Sequence, residues 1–509
     1  MPCACGRPDE SCAECQQARS PANFGDRSVI RFRPIVFVVG LMLCTMAAAM
    51  ILPAIVDVAD GHEDWKVFFG ASIFTFFIGG LMVLAAYDDK PVQLGVKEAF
   101  LLTTISWSAV TAVAAIPFVG LGLNYTDAFF ESMSGITTTG ATVLVGLDKL
   151  PRGILLWRAV LQGLGGLGII VMAIIMLPFL RVGGMQLFQT ENSDRSEKVL
   201  PRALELTMAI AGIYLALLVI CAIVYALLGM TPFDAICHAL TTVSTAGFST
   251  HDESFGFFRS PALEWAAIVF MILGALPFVV FIKALRGDRG AIWRDAQVQG
   301  FLSFLVVVAL TLSAWLVLTR EVPIDVAVRT ASFSVVSVVT TTGFAVEDYT
   351  AWGTFSVGLF FLLKFVGGCS GSTTGGIKIY RLQVAGILTR SHFLHLISPN
   401  RVVTLMYNRR RLPDDVPFSV VAFLAIYMTT VGIFTVVLAA MDLDLVTALT
   451  AATQAVGNVG PGLGDIIGPS GNYSTLPAGA KWVLSFAMLL GRLELFTVLV
   501  LFRSEFWRS

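Results

Sequence analysis

Charged residues are scarce in this 509-residue sequence, since Asp, Glu, Lys and Arg together make up 14% of it while hydrophobic residues make up 56%. The mean hydropathy is correspondingly high, at +0.79. This balance excludes an ordinary soluble protein, and apolar runs of about 20 residues recur along most of the chain. The composition therefore predicts an all-α polytopic membrane protein. The formal net charge of −1 indicates no particular partner, and we expect no nucleic acid to bind.

The sequence also lacks the catalytic patterns of an enzyme. Neither H-E-x-x-H nor G-x-S-x-G occurs, and the five histidines are scattered. An intramembrane enzyme or a lipid-modifying protein is an alternative, but it would need a titratable pair inside the apolar runs, and paired aspartates are absent there. We therefore expect a protein that is not an enzyme, with no catalytic residues and no covalent cofactor.

Cysteine is sparse except at the N-terminus, which holds four of the eight cysteines: Cys3, Cys5, Cys12 and Cys15. Thiolates at such spacings can close a tetrahedral site for zinc or another thiophilic metal. The alternative is a reduced, disordered cytoplasmic tail over residues 1–33 that has no part in the function of the protein. A receptor-like anchor in which this tail carries the function is a further alternative.

The apolar runs predict ten transmembrane helices. The basic flank from Arg27 to Arg33 places the N-terminus in the cytoplasm. The first apolar run, from Pro34 to about Val56, is long enough to span a membrane, so we expect no cleavable signal peptide. A second run follows it, and residues 34–97 therefore form a leading transmembrane hairpin. Basic loops between the later units place both termini in the cytoplasm.

A repeated unit begins at about residue 98: a long apolar run, a shorter run of about a dozen residues, a glycine-containing stretch and another long run. A helix of a dozen residues rises only about 18 Å, too little for a hydrocarbon core of about 30 Å. The short run must therefore re-enter, which is tolerated only where it is buried in protein or lines a wet cavity. Four membrane-pore-membrane repeats are predicted, in pseudo-fourfold arrangement around one pore: residues 98–202, 203–298, 299–414 and 415–509.

The glycine-containing stretches share a pattern typical of an ion filter, with a polar residue two positions before a glycine. The candidate ion-binding residues are Thr138, Thr139, Gly140, Thr245, Ala246, Gly247, Thr341, Thr342, Gly343, Asn458, Val459 and Gly460. Backbone carbonyls can replace the water shell of a monovalent cation where glycine permits positive φ. For a single stretch, the alternative is a helix-packing face. We expect Asp127 and Asp234 to N-cap the first two short helices, and Glu131 and His238 to be hydrogen-bonded buttresses behind the filter.

A second motif, Phe365 to Arg381 (FVGGCSGSTTGGIKIYR), interrupts the last apolar run of the third repeat. So many glycine and hydroxyl residues cannot sustain a lipid-facing helix. We expect a movable constriction under the filter, and the alternative is a passive helix kink. The candidate gating residues of this motif are Gly367, Gly368, Ser370, Gly371, Ser372, Thr373, Thr374, Gly375 and Gly376.

Two cations inside apolar runs are further candidate gating residues. Arg492 lies near the middle of the run from Lys481 to Phe502, where a cation is costly unless it faces water or a partner. In a cation path it would act as a plug or an electrostatic brake. The alternative is an arginine paired with Glu494, or with carbonyl groups, for structure alone. Lys364, one turn before the glycine-rich motif, is a weaker example of the same argument.

From about residue 34 to its C-terminus, the sequence resembles the Trk/Ktr/HKT superfamily of potassium transporters, and within it the bacterial TrkH-like membrane subunits. The most specific segments are WRAVLQGLGGLGIIVMAIIMLPFLRVGGMQLFQTE (Trp157 to Glu191), TTTGF (Thr340 to Phe344), GGCSGSTTGGIK (Gly367 to Lys378), GNVGPGLG (Gly457 to Gly464) and GRLELFTVLVLF (Gly491 to Phe502).

This resemblance implies that the glycines of the four stretches are filter glycines, that Gly367 to Gly376 form an intramembrane gating loop and that Arg492 is a pore arginine. It also implies a homodimer with a cytosolic, TrkA-like ring of nucleotide-binding regulatory subunits. In relatives, a glycine at the position of Gly140 accompanies selectivity for potassium over sodium. The sequence departs from the family pattern in its N-terminal tail, residues 1–33, and in the charge of Lys364.

The resulting expectation is a protein of the bacterial inner membrane that takes up K⁺, and also Rb⁺, through a four-part filter in the lipid bilayer. A sodium-permeable transporter of the same fold is the alternative within this class. Coupling of the flux to H⁺ or Na⁺ stays open.

Overall fold

A computed structural model describes residues 30–88, 94–176, 199–408 and 410–508 of the chain. The candidate thiophilic site at Cys3, Cys5, Cys12 and Cys15 lies outside the described residues. Within these ranges, no group of His, Cys, Asp and Glu side chains could hold a metal ion. The regular structure is helical apart from one hairpin, in which Met406–Tyr407 (β1) pairs antiparallel with Arg410–Arg411 (β2). The predicted helical class is confirmed.

Long and short helices alternate along the chain. They are Phe32–Ala59 (α1), Trp65–Ala86 (α2), Val96–Ala114 (α3), Ile116–Gly120 (α4), Tyr125–Ile136 (α5), Arg152–Met176 (α6), Val199–Leu227 (α7), Pro232–Val243 (α8), Pro261–Ala275 (α9), Phe278–Leu285 (α10), Ala291–Arg294 (α11), Ala296–Arg320 (α12), Ile324–Val339 (α13), Thr354–Leu363 (α14), Ile379–Ile397 (α15), Asp415–Ala439 (α16), Leu445–Gly457 (α17), Ala478–Arg492 (α18), Phe496–Leu499 (α19) and Ser504–Trp507 (α20). Short 3₁₀ turns cover Leu147–Lys149, Ser254–Phe258 and Val500–Phe502.

Seven segments among the described residues are long and apolar enough to cross a membrane, and two bent helix pairs raise this number to nine. The predicted total of ten would require α14 and α15, which flank the glycine-rich motif, to form one more broken span. The helical membrane architecture is therefore confirmed, whereas the count of ten and the pseudo-fourfold arrangement stay predictions.

The leading hairpin depends on a close approach between α1 and α2. A Cβ on Gly40 would lie 2.8 Å from the carbonyl oxygen of Gly79, and a Cβ on Gly79 would lie 2.8 Å from that of Gly40. Small residues let helices pack this closely in a membrane. The hairpin is also attached to the first repeat, because Asp57 of α1 accepts a 2.7 Å hydrogen bond from the backbone N–H of Gly153 in α6.

The second long helix is broken in more of the repeats than the sequence predicted. The sequence indicated a break only in the third repeat, yet α9 and α10 also meet at 93°, and α18 meets the helical residues 496–502 at 107°. Pro277 lies at the first of these bends, and its ring cannot continue a helix. Glu494 and Leu495 lie at the second, with φ values of 57° and 39° that no α-helix contains.

Three of the four short helices begin with a polar cap residue: α5, α8 and α17, but not α13. Asn124 and Thr231 cap α5 and α8 by accepting hydrogen bonds of 2.9 and 3.1 Å from backbone N–H groups in the first turn. Those N–H groups belong to Asp127 and Asp234, so the prediction that these two aspartates are N-caps is wrong. Each aspartate, at the third helical position, instead accepts a hydrogen bond from the side chain of the cap residue. Asp444 caps α17.

Candidate functional site

The four predicted filter loops follow α5, α8, α13 and α17, and they meet at one cavity. All four predicted filter glycines line it: Gly140, Gly247, Gly343 and Gly460. A different cavity is lined by residues of the glycine-rich motif, and the two cavities share no lining residue. The predicted filter and the predicted gating loop therefore border separate spaces.

The first three loops touch in sequence, at distances that only glycine permits. A Cβ on Gly140 would lie 2.2 Å from the carbonyl oxygen of Ala246 in the second loop. A Cβ on Gly247 would lie 1.9 Å from the carbonyl oxygen of Thr342 in the third. Both distances are far inside van der Waals contact. Any side chain at position 140 or 247 would therefore push neighbouring loops apart.

The fourth loop closes this circuit. A Cβ on Gly343 would lie 3.2 Å from the backbone nitrogen of Gly460, and a Cβ on Gly460 would lie 3.0 Å from the carbonyl oxygen of Thr139. Asn458 adds a direct bond, because its amide Nδ2 donates to the Thr139 hydroxyl at 3.0 Å. The contacts thus pass from each loop to the next and return to the first.

A shared backbone conformation lies two residues before each glycine. The polar residues at this position all have positive φ: Thr138 at 53°, Thr245 at 52°, Thr341 at 58° and Asn458 at 52°. The predicted positive φ of the filter glycine itself occurs in the first three loops, at 78° to 85°, but not at Gly460. A left-handed β-branched residue is a backbone outlier, and such strain is held only where the surrounding structure dictates it. The polar residue two positions before each predicted filter glycine therefore has the same constrained backbone conformation in all four loops.

Gln162 of α6, which the sequence analysis did not single out, holds the second loop. Its Nε2 donates to the carbonyl oxygen of Ala246 at 2.8 Å, and its Oε1 accepts from the backbone N–H of Phe248 at 3.0 Å. These two bonds lie on either side of Gly247. One buried side chain thereby fixes the peptide groups around a filter glycine.

Arg158, one helical turn before Gln162, joins the first loop to the second. Its guanidinium forms a 2.8 Å ion pair with Glu131 and donates to the carbonyl oxygen of Ser249 at 2.8 Å. Glu131 also accepts from the backbone N–H of Val143 at 2.9 Å, so it takes the predicted position behind the filter. The spacing of Arg158 and Gln162, four residues apart within an apolar run, was the sequence signal for this pair.

His238 takes the other predicted buttress position. Its ring is fully buried, with Nε2 at 3.1 Å from the hydroxyl of Ser249 and Nδ1 at 2.9 Å from the carbonyl oxygen of Asp234.

A second histidine lies nearby, and the His251 ring is 2.5 Å from Asp148 and 3.5 Å from Asp234. Burial lowers the pKa of His251, but its contacts with these two carboxylates outweigh burial and raise that pKa above its usual value.

The glycine-rich motif packs directly against the ends of three short helices. The hydroxyl of Thr373 lies 3.0 Å from that of Thr245, and the backbone N–H of Gly375 donates to the hydroxyl of Thr341 at 2.9 Å. A Cβ on Gly375 would lie 2.3 Å from the carbonyl oxygen of Gly457. The motif is therefore a loop beside the second, third and fourth filter loops rather than a simple kink.

The rest of the predicted gating loop is tied to neighbouring helices. Ser370 donates its backbone N–H to Gln297 of α12 at 3.0 Å, and the hydroxyls of Ser372 and Thr374 lie 2.9 Å apart. The loop begins and ends together, because the backbone N–H of Gly367 donates to the carbonyl oxygen of Ile377 at 2.9 Å.

Arg492 contacts this loop. Its guanidinium donates to the carbonyl oxygens of Thr373 at 2.8 Å and Gly165 at 3.3 Å, and it is 3% exposed. Of the two pairings in the alternative, the one with Glu494 is wrong, because Glu494 forms its ion pair with Arg381, whereas the one with carbonyl groups is present. The helix bend that follows Arg492 turns Glu494 toward the start of α15.

A cavity beside the loop is rich in basic groups. Its polar lining includes Lys378, Arg381, Arg492 and Glu494. Lys378 donates to the carbonyl oxygen of Thr374 within the same segment. Three cations and one carboxylate give this space a positive balance, which opposes the entry of a cation.

Lys364, the other candidate gating cation, contacts the fourth loop. Its ammonium donates to the carbonyl oxygen of Pro461, the residue after Gly460. The structure therefore brings Lys364 to the fourth filter loop, whereas Arg492 and Lys378 contact the gating loop.

Comparisons with known proteins identify the family of the chain. A family model described as "TrkH: Cation transport protein" matches residues 65–509. The chain is 46% identical over 483 residues to "Trk system potassium uptake protein TrkI" of Halomonas elongata, which covers 94% of this chain and 98% of that protein. It is 35% identical over 488 residues to "Trk system potassium uptake protein TrkH" of Escherichia coli K12, which covers 94% of this chain and 100% of that protein.

A solved structure supports the same assignment. The crystal structure of "the Potassium Transporter TrkH from Vibrio parahaemolyticus" superposes with a TM-score of 0.87 at 33% sequence identity, over 94% of this chain and 100% of the other. The match to the family model and these identities extend over nearly the whole length. The chain belongs to the TrkH family of cation transport proteins.

Proposed function

We propose that this protein takes up K⁺ across the bacterial inner membrane; the names of its relatives state potassium uptake for them. One observation carries the proposal: four glycine-containing loops contact one another in a closed circuit and line one cavity with their glycines. Backbone oxygens around such a space can replace the hydration shell of K⁺ or Rb⁺. Transport, rather than catalysis, is the activity of this family.

The proposed filter comprises the three residues of each loop that end on the shared glycine. The proposed gate is the loop from Gly367 to Gly376, held shut by Arg492 and Lys378. Its contacts with three short helices support this assignment, since a displaced loop would uncover the space below the filter.

The proposed assembly is a homodimer with a cytosolic, TrkA-like ring of nucleotide-binding subunits, and both termini in the cytoplasm. The basic residues Arg410 and Arg411 of β2 support a cytoplasmic position for the β1–β2 hairpin. Purification in mild detergent, followed by identification of any soluble nucleotide-binding subunit that accompanies the protein, tests the ring.

Rubidium flux tests the proposed filter. In proteoliposomes, the wild-type protein should accumulate Rb⁺, and Gly343→Asp should abolish that uptake, because Gly343 has φ of 84° and no room for a side chain. Gly122→Asp is the matched control: Gly122 also has positive φ, but nothing lies within 4 Å of its Cβ position. Uptake that is insensitive to Gly343→Asp would refute the filter, and equal uptake of Na⁺ would favour the sodium-permeable alternative.

A further inference from the structure

Lys364 is a fully buried cation that lies against the fourth filter loop. It follows the last residue of α14, and its ammonium donates to the carbonyl oxygen of Pro461. Its backbone carbonyl oxygen lies 3.1 Å from the position of a Cβ on Gly457. Its main chain therefore lies against Gly457, before the predicted filter glycine Gly460, and its side chain against Pro461, directly after it.

This lysine lacks the countercharge that most other buried cations of the protein have. Arg158 pairs with Glu131, and Lys481 pairs with Asp127 at 2.6 Å. In the described part of the chain, no Asp or Glu carboxylate forms an ion pair with Lys364, and its ammonium instead contacts the carbonyl oxygen of Pro461. A cation without a countercharge is costly to bury, so oxygen atoms that suit a cation must offset this cost.

The same oxygen atoms would attract a transported ion. Backbone carbonyls of a filter present their negative ends to any cation that reaches them, and a fixed ammonium beside them repels a mobile one. Repulsion between like charges is strong where water is excluded. A charged ammonium at the position of Lys364 would therefore weaken the binding of an ion at the fourth loop.

We infer that Lys364 is an affinity-setting residue, whose ammonium competes electrostatically with the transported ion at the fourth filter loop and raises the K⁺ concentration needed for half-maximal uptake. The inference rests on the proposed function. Weak binding has a purpose in a conducting site, because an ion must leave the filter as well as enter it. A purely structural lysine would act only through its hydrogen bond to Pro461.

The test compares variants that separate charge from packing. Initial Rb⁺ uptake is measured against Rb⁺ concentration in proteoliposomes for the wild type, Lys364→Met, Lys364→Arg and Leu363→Met. Lys364→Met should lower the KM about tenfold, with a smaller effect on the maximal rate. Lys364→Arg keeps the charge and should keep the KM within about twofold. Leu363→Met changes the adjacent buried side chain and should behave as the wild type.

An unchanged or raised KM in Lys364→Met, with normal uptake by the wild type, would overturn the inference alone. Absence of uptake by the wild type would overturn both the proposed function and the inference. If Lys364→Met does not fold, Lys364→Gln provides the same test, because its neutral amide is still a hydrogen-bond donor. A lowered KM in Lys364→Gln supports the charge effect, and a wild-type KM supports the structural tether and overturns it.

Discussion

Single polar side chains in apolar surroundings determine how the candidate filter is held. Gln162 is the clearest case, because its one amide bonds to both Ala246 and Phe248 and so fixes the backbone around Gly247. The four loops are not held alike. In the third loop the corresponding tie is local, from the hydroxyl of Ser337 to the carbonyl oxygen of Phe344 at 2.7 Å.

Gln162→Leu should lower the selectivity for K⁺ over Na⁺. The substitution keeps the approximate volume but leaves the carbonyl oxygen of Ala246 and the N–H of Phe248 unpaired, at a cost of about 1–3 kcal/mol that the loop can relieve only by moving. Inhibition of Rb⁺ uptake by increasing Na⁺ measures the change. The matched control is Gln297→Leu, which removes the bond to Ser370 of the gating loop and should change the rate without changing selectivity. Equal selectivity in the two variants would contradict the assignment.

At the scale of elements, the broken helices bring distant charges to the gating loop. The bend after Arg492 separates it from Glu494, so that Arg492 reaches Thr373 while Glu494 reaches Arg381. In a continuous helix these two side chains, two residues apart, would already face different sides. The break instead redirects the chain after Arg492, so that Glu494 reaches Arg381 at the start of α15.

Arg492→Ala should raise the basal flux. The variant removes the 2.8 Å hydrogen bond to the carbonyl oxygen of Thr373, while the bonds of the loop to Gln297 and Thr341 remain. A loop held by one fewer hydrogen bond should open more often. Rb⁺ uptake in the absence of a regulatory subunit measures the basal flux. Arg503→Ala, at an exposed arginine of the same terminal segment, is the control. Unchanged or lost flux in a folded Arg492→Ala protein would count against a plug.

Sequence reasoning located these elements better than it located their ends and bends. Short apolar runs before a glycine predicted α5, α8, α13 and α17 because a dozen helical residues cannot cross a bilayer. Pro277 gave a visible signal for the second-repeat break, whereas nothing in the composition of Glu494 and Leu495 indicates positive φ. Hydrogen bonds across repeats, such as that from Asn458 to Thr139, depend on tertiary packing and could not be read from spacing alone.

At the scale of the whole molecule, the chain closes on itself where the fourth repeat meets the first. Lys481 of α18 forms a 2.6 Å ion pair with Asp127 of α5, and the ring of Trp482 lies 4.6 Å from that of Phe129. The bond from Asn458 to Thr139 makes the same connection at the filter. We call this contact between the fourth and first repeats the seam. Its stability affects whether the four loops can face one cavity.

Lys481→Met should destabilise the folded protein by about 1–3 kcal/mol, because it leaves the partly buried Asp127 carboxylate without its partner. The Asp127 side chain is 23% exposed, so the penalty is smaller than for a fully buried charge. The double variant Lys481→Met/Asp127→Asn removes the uncompensated charge and should recover part of the loss. Thermal unfolding midpoints in one detergent give the comparison. Lys66→Met, which breaks an exposed pair with Glu63, should leave the midpoint unchanged. A double variant no more stable than Lys481→Met would show that the seam depends on the hydrogen bond from Lys481 to Ser474 instead of the ion pair.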